Sequence, residues 1–154
     1  MKQIHVITLL LLLSSSLAQS QKVARNGWYF LAEKASDGLS VTDIDSEDVF
    51  AIEPKPVLAV TDFKNIRIVT RDFEPNDMKA IEIQLNKAGR KKWNDAKKRI
   101  AKTKESVVFV YNDKIYLEKF IYGASKTLTS FIDLMVDQKY MQEIFDAIKK
   151  EMDN

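Results

Sequence analysis

Cysteine is absent from this sequence, histidine occurs once, and only four glycines are present in 154 residues. Without Cys there are no disulfides, no thiolate metal sites and no thiol nucleophile. The glycines, at positions 27, 38, 89 and 123, are isolated, so no glycine-rich loop is available to cradle a phosphate. Long apolar runs are missing as well. The run Val6 to Leu13 spans only 8 residues, whereas a membrane-crossing helix needs roughly 20.

That run is preceded by Lys2 and followed by small and polar residues ending in Ala18-Gln19-Ser20. This is the pattern of a secretory signal peptide over residues 1–20. Cleavage after Ala18 or after Ser20 satisfies the small-residue rule, and Ser20 is preferred. An uncleaved N-terminal anchor is the alternative. No Cys follows the run, so the lipoprotein pattern is excluded. The lone histidine, His5, lies inside this segment. Residues 21–154 therefore contain neither His nor Cys. Ser-His-Asp and Cys-His catalysis are excluded there, as are His-ligated zinc, copper and haem. The expected product is one exported domain, periplasmic or extracellular, of about 134 residues, enough to bury a core without staples. Export excludes nucleic acid as a natural partner, and no cofactor is implied. No transmembrane span is expected after signal removal.

What remains is rich in pattern. Gly27 to Ala32 is aromatic and reads as a strand. Residues 36–48 are polar and turn-rich. Val49 to Ile52 fits a short helix or a strand, and Glu53-Pro54-Lys55-Pro56 breaks regular structure because proline fixes φ and lacks a donor. Val57 to Val60 fits a short edge strand. Ile66 to Thr70 and Ala80 to Leu85 predict strands, the second alternating strictly, with a turn at Glu74-Pro75-Asn76-Asp77. Asn86 is suited to cap a helix of about 16 residues whose narrow apolar face is Gly89, Trp93, Ala96 and Ile100. Val107 to Tyr111, the turn Asn112-Asp113 and Lys114 to Leu117 predict a hairpin. Ser130 to Val136 predicts a further strand. Asp137 caps a last helix with Met141, Ile144, Phe145, Ile148 and Met152 as its stripe. The fold class is α+β: a mostly antiparallel sheet with two amphipathic helices on one face.

Charge is unevenly placed. Residues 87–104 hold nine basic residues and one acid, Asp95, a net of +8, against a remainder of −7 once the signal is removed. Such segregation steers anionic partners, and Arg90, Lys91, Lys98 and Lys102 mark the candidate face toward an anionic envelope surface. A wheel projection places the basic residues opposite Trp93, Ala96 and Ile100, so a solvated helix face is the preferred reading. Residues 43–48 (DIDSED) hold several carboxylates. A calcium loop of the EF-hand type needs Gly at its sixth position and Glu at its twelfth, where Asp48 and Pro54 stand instead. Trp28, Tyr29 and Phe30, and likewise Tyr111, Tyr116 and Tyr122, fit packing better than ligand binding. No carboxylate pair has a distinguishing spacing.

Over residues 50–152 the chain resembles the head of the large periplasmic domain of the SecD family, accessory subunits of the bacterial Sec translocase. The matching positions are Pro56, Val57, Asp62, Ile83, Leu85, Asn86, Gly89 and Trp93, with the stretch at 107–123 and the closing helix downstream. The Gly of the family's Asp-Gly-Lys turn and the Pro after it are absent. The resemblance implies an α+β fold and a bacterial, periplasmic module that contacts polypeptide or an envelope partner. It does not imply a translocase, since no membrane domain is present. The first functional expectation is thus a non-enzymatic binding module. A second is a small hydrolase using two carboxylates or a Ser-Lys pair, which requires convergent acids in a pocket and a raised carboxyl pKa. A third is attachment to anionic surfaces through the basic helix.

Overall fold

The computed structural model describes residues 24–73, 76–119 and 130–154. The expected signal peptide, the Glu74-Pro75 part of the turn, and residues 120–129 with Tyr122 lie outside the described residues. Nine strands and two long helices are described: β1 Gly27–Phe30, β2 Leu39–Asp43, β3 Val49–Ile52, β4 Leu58–Ala59, β5 Phe63–Phe73, β6 Asn76–Leu85, α1 Lys87–Thr103, β7 Val107–Tyr111, β8 Lys114–Lys119, β9 Phe131–Leu134 and α2 Gln138–Met152. The class is α+β, with antiparallel pairing dominant and one parallel pair, β2 with β8. No helix among the described residues is long and apolar enough to cross a membrane.

The strands form two sheets rather than one. The first has the order β3-β2-β8-β7-β1-β4 and the second β5-β6-β9. The first sheet curls back on itself. Leu31 bridges Ile52, the Ala32 N–H donates to the Ala51 carbonyl (2.8 Å), and the Glu53 N–H donates to the Phe30 carbonyl (2.9 Å). β3 thereby returns to β1 and closes a small barrel.

Strand alternation then divides the aromatic leader between two cores. Tyr29 points into the barrel with Val41, Ile52, Val108, Val110 and Ile115. Trp28 and Phe30 point outward, into the core shared with the helices and the second sheet. There the Trp28 ring stands 5.8 Å from that of Trp93 and 5.5 Å from that of Phe109. Their complete burial makes this cluster a major source of stability, since a buried large side chain contributes roughly 1.5–3 kcal/mol.

The second sheet is two-faced because its strands alternate. Ile66 opposes Ile83, which opposes Ile132; Ile68 opposes Ile81, which opposes Leu134. This apolar face meets the buried stripes of both helices: Trp93, Ala96 and Ile100 from α1, and Met141, Ile144 and Ile148 from α2. Its other face carries Asn65, Arg67, Glu82, Gln84, Phe131 and Asp133 and is largely open to solvent.

Helix α1 begins where the sequence predicts. The Asn86 side chain accepts from the Gly89 N–H (2.9 Å) and donates through Nδ2 to the Thr61 carbonyl (2.9 Å). The backbone N–H of Asn86 donates to the Asp62 carbonyl (3.0 Å). Asp62, 3% exposed, accepts from the Ala59 N–H (3.0 Å) and holds Lys92 Nζ at 2.8 Å through both oxygens. Gly89 is needed here for close approach: a Cβ would stand 2.5 Å from the Asp62 carbonyl oxygen. Asp62, Asn86 and Gly89 thus build one corner, the landing of α1 on the second sheet. That is a fold-building role.

Candidate functional site

The basic segment is less free than its sequence suggests. Among its nine bases, Lys92 is bound to Asp62. Arg99 pairs with Glu53 (2.6 Å) and Glu105 (2.6 Å) and stacks 3.9 Å over the Phe30 ring. Those partners raise the Arg99 pKa above its ordinary value, the Glu53 hydrogen bond contributing most. Lys97 is buried, and desolvation lowers its pKa. Lys97 alone corrects the wheel projection, which set every base on the solvated arc; Lys92 and Arg99 keep part of their surface in solvent while paired. Folding brings Asp62 and Glu53 from distant positions to meet the helix, and Glu105 joins them from just beyond its C-terminal end.

Of the four candidate residues, Lys91 and Lys98 share Asp95, at 2.8 and 3.4 Å. Arg90 and Lys102 make no ion pair among the described residues. Lys91, Lys98 and Lys102 are exposed and Arg90 half-buried. The face therefore exists, but with part of its charge neutralised by one acid.

The 43–48 loop also has a structural task. Asp43 Oδ1 accepts from the backbone N–H groups of Asp45 (2.9 Å) and Ser46 (2.8 Å), closing the β2–β3 turn. The Ser46 amide bond is the main reason its pKa lies below the usual carboxylate range. Among the described residues, no group of three or more His, Cys, Asp or Glu side chains is placed to hold a metal ion. Tyr111 packs on Tyr116 at 5.7 Å and Tyr116 on Tyr140 at 5.2 Å, ring to ring, and burial raises the pKa of Tyr111 and Tyr116.

The more open chemistry lies on the outer face and edge of the β5-β6-β9 sheet. The two β5 arginines project on the same side, because they are four residues apart on one strand. Arg67 Nε binds Glu82 Oε1 (2.6 Å), Arg71 Nη2 binds Glu82 Oε2 (2.6 Å), and Arg71 also reaches Asp133 (2.9 and 3.0 Å). Glu82 is only 7% exposed although it sits on the solvent side, because the arginines cover it. Their hydrogen bonds, that of Arg67 first, hold its pKa below the ordinary value. Those of Asp133 and then Glu82 raise the pKa of Arg71. Beside them Asn65, Arg67, Glu82, Gln84 and Phe131 line a shallow cleft of about 180 Å³.

β5 is the notable element. It is the longest strand, with eleven residues, and it ends the β5-β6-β9 order. β6 hydrogen-bonds one side of it, and no strand among the described residues pairs with the other. The sequence held a signal for this sheet that the pattern reading left unused: opposite charges at Arg67 and Glu82, directly across the predicted hairpin.

The chain matches no family model, no curated protein and no solved structure.

Proposed function

We propose that the chain is an exported, non-enzymatic binding module, periplasmic in a bacterium, that holds an extended polypeptide strand along the β5 edge. The observation that carries this reading is the unpaired side of β5 among the described residues. An edge of this length presents a row of backbone donors and acceptors, and such groups pair readily with an added strand. The exposed Met78 side chain on β6, directly across from Arg71, offers an apolar contact beside the edge. The resemblance to the SecD head supports a polypeptide ligand. The hydrolase reading has less behind it: the two buried carboxylates, Asp62 and Glu82, are each held by basic side chains, and the Glu82 pKa is shifted down rather than up.

The test is hydrogen exchange with and without a permanently unfolded polypeptide, such as a reduced and carboxymethylated globular protein. The reading expects slowed exchange at the alternate amides between Asn65 and Asp72 that point away from β6. Absence of binding, or protection confined to another surface, overturns it.

A second reading, attachment to an anionic envelope surface through Arg90, Lys91, Lys98 and Lys102, is favoured by the exposure of the three lysines on α1. It expects flotation with anionic vesicles that disappears at high salt.

A further inference from the structure

β5 carries a self-complementary pattern, and we propose that one strand it takes is β5 of a second copy of this chain, paired antiparallel about a two-fold axis at Ile68. The inference rests on β5 being an acceptor edge. In an antiparallel pair, opposed residues project to the same face of the sheet. A two-fold axis perpendicular to the sheet therefore has to pass where a residue meets its own copy.

Only a few axes overlap most of the strand. Placed at Arg67, the axis sets Arg67 against itself. Placed at Val69, it sets Arg67 against Arg71 twice. Placed at Ile68, it opposes Ile68 to Ile68, Arg67 to Val69, Ile66 to Thr70, Asn65 to Arg71 and Lys64 to Asp72. This register has no like charges directly opposed, an apolar centre and an opposite-charge pair at each end. The local chemistry agrees. Ile68 is 37% exposed, incompletely covered within one copy. Lys64 and Asp72 are exposed and make no ion pair among the described residues. Lys64 stands where the β5–β6 register slips between Phe63 and Asn65, and its flexible stem tolerates the local bend. The remaining β5 charges arrive neutralised, since Arg67 and Arg71 already hold Glu82 and Asp133. The product is a continuous sheet, β9-β6-β5 joined to β5-β6-β9 of the second copy. An edge contact of this kind is small, so a weak, concentration-dependent dimer is expected.

The absence of cysteine supplies a direct test with the full chain as it accumulates on expression. Ile68→Cys introduces a single thiol that meets its own copy at the axis, within the Cα separation a disulfide requires. Under mild oxidation it is expected to cross-link to a dimer, and Thr70→Cys, which faces Ile66, is not. In sedimentation equilibrium the parent chain is expected to self-associate. Lys64→Asp and Asp72→Lys should each weaken association about tenfold, and the double exchange should restore it. A parent chain that stays monomeric, or cross-linking equal for both cysteine variants, overturns the inference. A monomer whose β5 amides nevertheless become protected by unfolded polypeptide removes the self-pairing and leaves the edge reading standing. Protection in the monomer of those β5 amides that point away from β6 removes both.

Discussion

Replacing Gly89 by alanine sets two physical effects of opposite sign against each other. In a helix, alanine is favoured over glycine by up to about 1 kcal/mol, so propensity alone predicts a more stable protein. The tertiary structure predicts the reverse. The new Cβ would stand 2.5 Å from the Asp62 carbonyl oxygen and 3.0 Å from the Asp62 Cβ. Neither can withdraw easily. The carbonyl accepts the Asn86 N–H at 3.0 Å, and the carboxylate is held by the Ala59 N–H and Lys92. Relief requires α1 to lift from its landing, which strains the Asn86 cap bonds. Overpacking at a well-filled contact costs about 1–3 kcal/mol, and a weakened hydrogen bond about 1 more. The net expectation for Gly89→Ala is a loss of about 1–3 kcal/mol. Urea unfolding followed by tryptophan fluorescence measures it, because Trp93 lies on the same helix and Trp28 packs on it. Ala101→Gly, at an exposed position of α1, serves as the control and should lose about 0.5–1 kcal/mol through propensity alone. A Gly89→Ala protein more stable than its parent would refute the close-approach argument.

Glu82→Gln should lower stability at neutral pH by about 1–2 kcal/mol, since it weakens charge-assisted bonds to two arginines. The folded pKa of Glu82 is depressed, so its contribution is complete above the unfolded value near 4.3 and is lost as pH falls through the folded one. The parent and variant stability curves should converge in acid, and a constant gap down to pH 2 would contradict the assignment. Asn86→Ala should lose about 1–2 kcal/mol in the same urea assay, because the cap and the Thr61 bond disappear together. Millimolar calcium should leave the thermal midpoint unchanged, because Asp43 Oδ1 is committed to backbone amides and no group of three or more acids converges among the described residues; a rise of several degrees would show that the 43–48 loop takes a cation after all.

Local signals foretold the elements they control. Asn86 and Asp137 cap the two helices as their side-chain chemistry requires, and Asn112-Asp113 makes the two-residue turn with φ of 48° and 58°. Val49 to Ile52, which fitted helix or strand, is a strand because β2 pairs with all four of its residues. β2 itself escaped the pattern reading. Its sequence, Leu-Ser-Val-Thr-Asp, lies within a stretch rich in Ser, Asp and Gly, and it becomes a strand by pairing with β3 and, in parallel, with distant β8. Of the candidate site, Arg90, Lys91, Lys98 and Lys102 were legible as a basic arc. The β5 edge was not, because whether a strand has one neighbour or two is settled by pairings between residues far apart in the chain.

The sequence alone determined which residues cap, turn and alternate, since those properties act within a few residues along the backbone. It also determined which chemistry is missing: a segment without Cys and with its sole His at position 5 cannot be given thiol or imidazole catalysis by any fold of residues 21–154. The tertiary structure decided how the strands divide into two sheets and that the first of them closes into a barrel. It also decided where the charges go. A strongly basic helix looks in one dimension like an anionic-partner face. In three dimensions Asp62 and Glu53 fold onto it, because opposite charges separated along the chain reach a few ångströms only after the core has assembled.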